Sequence, residues 1–548
     1  MNALKFYRNW LSICLVLVAA ATANAQTFKV QCPTTTTLHP VPGPSGSYTG
    51  PATLNDVLTA ANGALVDYVD SGGAVKCQQL SGGDGFATMA DGTQTYLFAF
   101  GPLSALEDIR NGLPGTALPS EYNLRGDMGA VGDPGFTTFN GAVGLICDPD
   151  GPSYGDPACD PDTGPFTGHV DPRAIMDVGI MNGNMPAPMI AIDEDDELFL
   201  TLTNVGQIMR PDLFEEHTVH FHGYPNASAF YDGVPDASLA ISIGGSFTYY
   251  YLAPEAGTYF WHCHVTPPEH LQMGMVGQLY VRPRQNRVPA STTLYDALVA
   301  QQSDLRTKCG GDILCPAPLP AGGDNGAVGG FVDGAPTKLF AYNDGDGSTS
   351  YDVEYPIQMH GFDPNFHFVS MTFNPVGFAD MKDKYFLLNG RGYPDTVAEG
   401  TMRTQSADGV EHPSQPLPTI INIPKDGKAL LRLSDLDVTE YQTLASLGIP
   451  MRVIAQNARL LRDLDGNDLT YYSNSITMAG GESMDVILDA CSERALDGSC
   501  NVSIPDGTYA LFTPNLDHLS NDAENFGGMM TEVHICPGAV NPVTKACL

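Results

Sequence analysis

The chain is poor in charge, and poorest in positive charge. Charged residues make up 16% of its 548 positions, and 26 Lys and Arg stand against 62 Asp and Glu, for a formal net charge of −36. Nucleic-acid binding through a basic face is therefore excluded as a main role. A surface of this sign keeps a protein dissolved and attracts cations or a basic partner. Long apolar runs are also missing. Beyond residue 25 no stretch reaches the roughly 18 uninterrupted apolar residues of a membrane-crossing helix, so no transmembrane anchor is expected. Tryptophan occurs only twice, at Trp10 and Trp261. What is abundant is Gly (59) and Pro (42), beside 43% hydrophobic residues. That mixture predicts a loop-rich all-β protein with ordinary cores, and the length allows two to four domains.

Residues 1–25 carry Lys5 and Arg8, an apolar run from Leu11 to Ala21, and the small-residue site Ala23-Asn24-Ala25. This is the pattern of a cleaved secretory signal peptide, which predicts a periplasmic or extracellular, secreted protein. Of the 12 cysteines, Cys14 lies in that leader. Ten others fall in order as Cys32 and Cys77, Cys147 and Cys159, Cys309 and Cys315, Cys491 and Cys500, Cys536 and Cys547. An oxidising compartment makes disulfides the default, and sequential pairing is the simplest scheme. Cys263 is left over.

The odd thiol stands in Tyr259–Gly277, YFWHCHVTPPEHLQMGMVG, between His262 and His264 and ahead of His270, Met273 and Met275. A second cluster, EHTVHFHG, supplies His217, His220 and His222. On a strand, alternate residues share a face. His220 and His222 then face one way, as do His262 and His264, and Cys263 faces the other. Strand geometry alone predicts two metal sites, one on each side of the strand. Cys263, His270, Met275 and His217 make one thiolate, two imidazoles and a weak axial thioether, a set that favours copper over zinc. Met273 is the alternative axial ligand.

HTVHFHG, DGVP (Asp232–Pro235), GTYFWHCH and the following H-LQMG-M resemble the multicopper oxidase superfamily, which is built from cupredoxin domains. FLLNGRGYPDT (Phe386–Thr396) and the run from PMRVIAQNARLL to GGESMDVILDA resemble its non-copper-binding cupredoxin domain. The resemblance covers roughly residues 170–535. It implies a type 1 copper held by His217, Cys263, His270 and Met275, which takes electrons from a reducing substrate. It implies type 2/3 copper ligands in His220, His222, His262 and His264, at a centre that reduces dioxygen. Cys263 with His262 and His264 would carry electrons between the two. Asp232 matches an acidic residue that handles protons; a plain turn Asp before Gly233 is the other reading.

The expected architecture is all-β, with two cupredoxin-like β-sandwich (Greek-key) domains and an N-terminal extension. The signal peptide is 1–25, and 26–165 is a region without assigned chemistry. The ligand-bearing cupredoxin domain is 166–285, a linker 286–335, and a second, largely ligand-free cupredoxin-like domain 336–548. A full trinuclear centre in the family draws eight histidines from two domains, and only four are found here. Where the second domain should hold its histidines it reads YQTLASLGIP (Tyr441–Pro450), and His518, Met529 and Met530 look like remnants of a copper site. His360, His367, His412 and His534 are scattered. The readings left are a reduced second site, ligands from another copy in a homo-oligomer, or a type 1 copper alone. The function expected is a copper-dependent oxidoreductase whose electron donor is a phenol, a metal ion or a redox protein. The alternative is a non-enzymatic blue-copper electron carrier. Asn343–Asp352 and Asp463–Asp468 resemble acidic calcium loops without the full pattern of one.

Overall fold

The aromatic and β-branched runs become strands, because such side chains pack well on a pleated surface. The computed structural model describes residues 32–34, 36, 74–123, 138–145, 170–224, 228–253, 255–287, 331–332, 335–336, 339–372, 377–463, 465–495, 498–541 and 544–548. The signal peptide and most of the linker lie outside these residues.

The first sandwich contains β1 (Val75–Thr88), β2 (Gln94–Pro102), β3 (Ile190–Asp193), β4 (Glu197–Gly206), β5 (His220–Phe221), β6 (Ser246–Leu252), β7 (Gly257–His262) and β8 (Val276–Arg282). One sheet runs β2-β1-β4-β6 and the other β3-β8-β7-β5. Leu200, Leu202, Tyr249, Tyr251, Tyr259 and Trp261 fill the space between them. β1 pairs in parallel with β4, with Leu80 opposite Leu202, and antiparallel with β2. The described strands of the N-terminal region, 75–102, are thus paired into this sandwich.

The second sandwich contains β9 (Val353–Phe362), β10 (Tyr385–Leu388), β11 (Ile421–Ile423), β12 (Lys428–Asp435), β13 (Gln442–Ser446) and β14 (Met451–Gln456). It continues with β15 (Arg459–Leu460), β16 (Tyr471–Ser473), β17 (Ser475–Met478), β18 (Ser483–Asp489), β19 (Gly507–Phe512) and β20 (Met530–Ile535). Its sheets run β10-β9-β12-β18-β14-β15, with β16 on the edge of β14, and β11-β20-β19-β13-β17. Ile357, Leu431, Leu433, Val486, Leu511 and Val533 lie in its core.

The two sandwiches meet along β7, every residue of which is buried. Tyr259 and Trp261 enter the first core. Phe260 packs with Phe362, Leu387 and Leu436 of the second sandwich, and the Thr258 hydroxyl donates to Asp485 at 2.6 Å. A strand covered on both faces reads as a continuous apolar run. Beside it, Arg432 bonds Glu354 at 2.9 Å and lies 4.8 Å from the Tyr280 ring centroid. Arg282 pairs with the same Glu354 at 2.7 Å.

Disulfides join Cys32–Cys77, Cys491–Cys500 and Cys536–Cys547, as sequential pairing predicts. The pairs Cys147–Cys159 and Cys309–Cys315 fall outside the described residues. Cys263 is free and buried. The acidic loops engage their carboxylates on their own turns: Asp344 accepts from the Gly347 and Thr349 amides, and Asp463 from those of Asp465 and Asn467. Among the described residues no helix is long and apolar enough to cross a membrane.

Burial works against charge on Glu354, yet Arg282 and Arg432 hold its carboxyl well below the usual range. Removing one partner of a buried pair strands the other. Arg432→Met should therefore lower stability at pH 7 by about 3–5 kcal/mol, read as a shift in the urea midpoint. Below about pH 4 the deficit should shrink, because protonation discharges the stranded carboxylates.

Candidate metal centre

β5 and β7 pair antiparallel, with His220 opposite His262 and Phe221 opposite Trp261. This register places the residues just before β5 and just after β7 at one end of the first sandwich. His217 is held there by two backbone bonds with Ile241, 3.1 and 3.0 Å long. After β7 the chain turns into a short helix, α1 (Pro267–Gln272), which carries His270. It returns through Met275, whose amide donates to the His270 carbonyl and whose carbonyl accepts from the Cys263 amide.

On the inner face of the strand, ligand atoms of His217, Cys263 and His270 lie within 4.8 Å of one another. All three side chains, and that of Met275, are fully buried. The His270 Nδ1 is 3.2 Å from the Cys263 sulfur, which also accepts from the Thr218 amide at 3.4 Å. Burial opposes a thiolate, but His270 and His217 overcome it and pull the Cys263 pKa well below its usual value. Burial likewise opposes charge on His270, but Cys263 and Glu215 raise it to about 9. The Glu215 carboxylate lies 3.6 Å from His270 Nε2 and is held down by that imidazole. Both ring nitrogens of His217 are buried with no hydrogen-bond partner. Orphaned buried polar atoms are rare, and here they lie beside a thiolate and a second imidazole. That donor set fits copper.

The outer face holds His220, His222 and His262, with ligand atoms within 4.8 Å. His264 is adjacent, its ring centroid 5.0 Å from that of His220. Three rings are fixed at Nδ1 by backbone carbonyls: His220 by Asp232 at 2.7 Å, His222 by Gly481 at 3.2 Å and His262 by Cys263 at 2.7 Å. Each Nε2 is left to face inward, and those of His222 and His262 stand 3.0 Å apart. Burial lowers the pKa of both rings, that of His262 well below its usual value, so both are neutral and able to ligate. The Asp232 carboxylate also approaches His220 Nδ1, at 3.5 Å. Gly233 makes that approach feasible: it has φ +83°, and a Cβ there would strike the Val219 carbonyl at 2.0 Å.

The second sandwich repeats the framework without the chemistry. Ala445 pairs with Phe512 as His220 does with His262. The Thr513 amide donates to Met529 O at 3.0 Å, as that of Cys263 does to Met275 O, and Met529 N donates to His518 O, as Met275 N does to His270 O. Counting from these anchors, Gln442, Thr513, His518 and Met529 stand where His217, Cys263, His270 and Met275 stand in the first sandwich. Ala445, Leu447, Phe512 and Pro514 occupy the places of His220, His222, His262 and His264. His518 is stacked on Phe386 and bonded to Gln442 and Glu440. Met530 opens β20 and is not part of the set. Only the backbone register relates the two sandwiches.

The scattered histidines have other partners. His412 pairs with Asp408 and His534 with Glu532. His360 Nε2 bonds Leu271 O at 3.1 Å, and His367 Nε2 bonds Gln272 O at 3.0 Å. The Gln272 side chain spans Asp363 N and Asp383 Oδ1. The second sandwich thus grips the last two residues of the helix that carries His270. Burial pushes both His360 and His367 down to about 4.

A β-sandwich of two facing sheets, with a cysteine and paired histidines at one end, defines a cupredoxin-type domain. A sequence model described as multicopper oxidase matches residues 167–286. A multicopper oxidase named MCE from Talaromyces pinophilus is 34% identical over 120 residues, 22% of this chain and 18% of that one. Laccase abr2 of Aspergillus fumigatus is 35% identical over 109 residues, 20% of this chain and 17% of that one. A blue copper oxidase structure from Nitrosomonas europaea aligns over 84% of this chain and 85% of that one, at 17% identity and a TM-score of 0.45. Over residues 167–286 the ligand-bearing domain is thus similar to multicopper oxidases. The matched segments span less than a fifth of the length of those two curated relatives.

Histidine in an unfolded chain titrates near 6.5, and here two folded ones titrate near 4. Between those values the unfolded chain binds more protons, so these two groups lower stability as pH falls through that window. His360→Gln keeps a donor for Leu271 O but cannot titrate. The urea midpoint should drop less between pH 7 and pH 5 in this variant than in the parent, a difference of about 2 kcal/mol.

Proposed function

We propose that the chain is a secreted copper-dependent oxidoreductase of the multicopper oxidase type, taking single electrons at the His217–Cys263–His270–Met275 site. The observation that carries this reading is the His217–Cys263–His270 cluster, fully buried, with both nitrogens of His217 lacking a partner. Bound copper would supply a one-electron acceptor there and, at the outer face, a site for dioxygen. Cys263 and His270 would hold that acceptor with a thiolate and an imidazole, and His217 and Met275 would complete the set. His262 and His264 flank Cys263 in sequence, and His262 is also bonded to the Cys263 carbonyl, so the two faces are joined by a few bonds of one strand. Asp232 would hold a proton beside His220.

Electron donors would approach His270 past Glu215. A cavity of about 450 Å³ lined by Phe214, Glu215, Glu216, Ser242, Ile243 and Val265 opens there. Its aromatic ring and paired carboxylates suit a phenol or a cationic reductant. The leader sequence and three disulfides support export.

A second reading is favoured by Ala445, Leu447, Phe512 and Pro514, which cannot supply the other half of a trinuclear centre. On that reading the chain is a blue-copper electron carrier. Metal counting separates the two. Copper-loaded protein should be blue, and Cys263→Ser should be colourless at an unchanged fold. Two or more coppers per chain with donor-dependent oxygen uptake support the oxidase. One copper and no uptake support the carrier. Colourless protein saturated with copper would sink both. Glu215→Gln should raise KM for a cationic donor about tenfold in steady-state assays and leave the blue band in place, since a close opposite charge is worth about 1–2 kcal/mol.

A further inference from the structure

We propose that Gly82 of β1 positions His217 and Met275, so that the β1–β2 hairpin forms a wall of the copper pocket. This rests on the reading that those residues hold copper. It gives a function to part of the chain that lies outside the segment matched to the family.

The argument is one of space. A Cβ on Gly82 would lie 2.8 Å from His217 Cδ2, 3.3 Å from His217 Cγ and 3.3 Å from the Met275 methyl. Approaches under 3.0 Å force one partner to move. The His217 ring has little room to do so. Its backbone is tied to Ile241 in both directions, it is fully buried, and its ring centroid stands 5.4 Å from that of His270. Met275 is tied to both Cys263 and His270 through its backbone. Backbone strain is not the reason for glycine here. Gly82 sits in the ladder opposite Phe100 and Asn204 and is not among the left-handed glycines. The strand neighbour β2 contributes to the same wall. The Phe98 ring stands edge-on to His270, 5.2 Å away at 80°. One hairpin therefore touches two imidazoles and the thioether, and a surface against three donor groups fixes how they converge.

Gly83 provides the control. A Cβ there would meet Val205 Cγ2 at 2.6 Å and Gly206 O at 2.9 Å, crowding the same strand without touching a donor residue. The experiment compares parent, Gly82→Ala and Gly83→Ala by copper titration, visible absorption and electron paramagnetic resonance. Gly82→Ala should shift the thiolate-to-copper band and the hyperfine splitting and weaken copper binding about tenfold or more, the cost typical of disturbing a ligand's support. Gly83→Ala should match the parent spectrum. A parent-like Gly82→Ala, or identical changes in the two variants, would overturn the proposal. If Gly82→Ala does not fold, Phe98→Leu probes the same wall from the His270 side: a shifted spectrum supports it and an unchanged one overturns it. A parent that takes up no copper defeats the copper reading itself, a result distinct from any difference among variants.

Discussion

Strand β7 is buried on both faces, and its side chains alternate between the core of the first sandwich and the seam with the second. The rest of the site depends on that alternation. It sends Cys263 inward to a buried pocket, where His270 and His217 pull its thiol pKa well down against the effect of burial. It sends His262 outward to a shared, half-exposed cluster. Two environments of opposite character are thus built one residue apart. Each is held by neighbours of its own kind, backbone carbonyls outside and packed side chains within.

The second sandwich supports the first more than it duplicates it. It keeps the backbone bonds of a copper loop through Thr513, His518 and Met529, but packs a ring and polar side chains where donors would be. Its contribution to the first site is mechanical. His360, His367, Asp363 and Asp383 fasten the end of the short helix that carries His270, and Gly481 fastens His222. A framework without this ligand set can still make the interface, because the interface is made by other residues.

Much of this was readable in advance. The period of two in WHCH and HFH predicts which side chains share a face, and the His217–Cys263–His270 and His220–His222–His262 clusters follow it; the even set of the other cysteines left Cys263 as the free thiol. Sequential pairing, the simplest scheme for ten cysteines in order, holds for the three described disulfides. Three features were not readable. The hairpin at 75–102 reads as short apolar runs among glycines, and its place beside β4 is a long-range pairing that no local period encodes. The correspondence of Gln442 with His217 lies in hydrogen-bond register alone. His360 and His367 look like stray histidines because their partners are backbone carbonyls of a helix almost a hundred residues away.

His222 has a property that follows from its bond to Gly481. The ring belongs to one sandwich, and the carbonyl that orients it belongs to the other. The same seam carries the apolar cluster of Phe260 with Phe362, Leu387 and Leu436, so the packing that joins the sandwiches also holds this carbonyl against the ring. The aim of its Nε2 is therefore set from across the seam, by the backbone of a sandwich that contributes no side chain to the cluster.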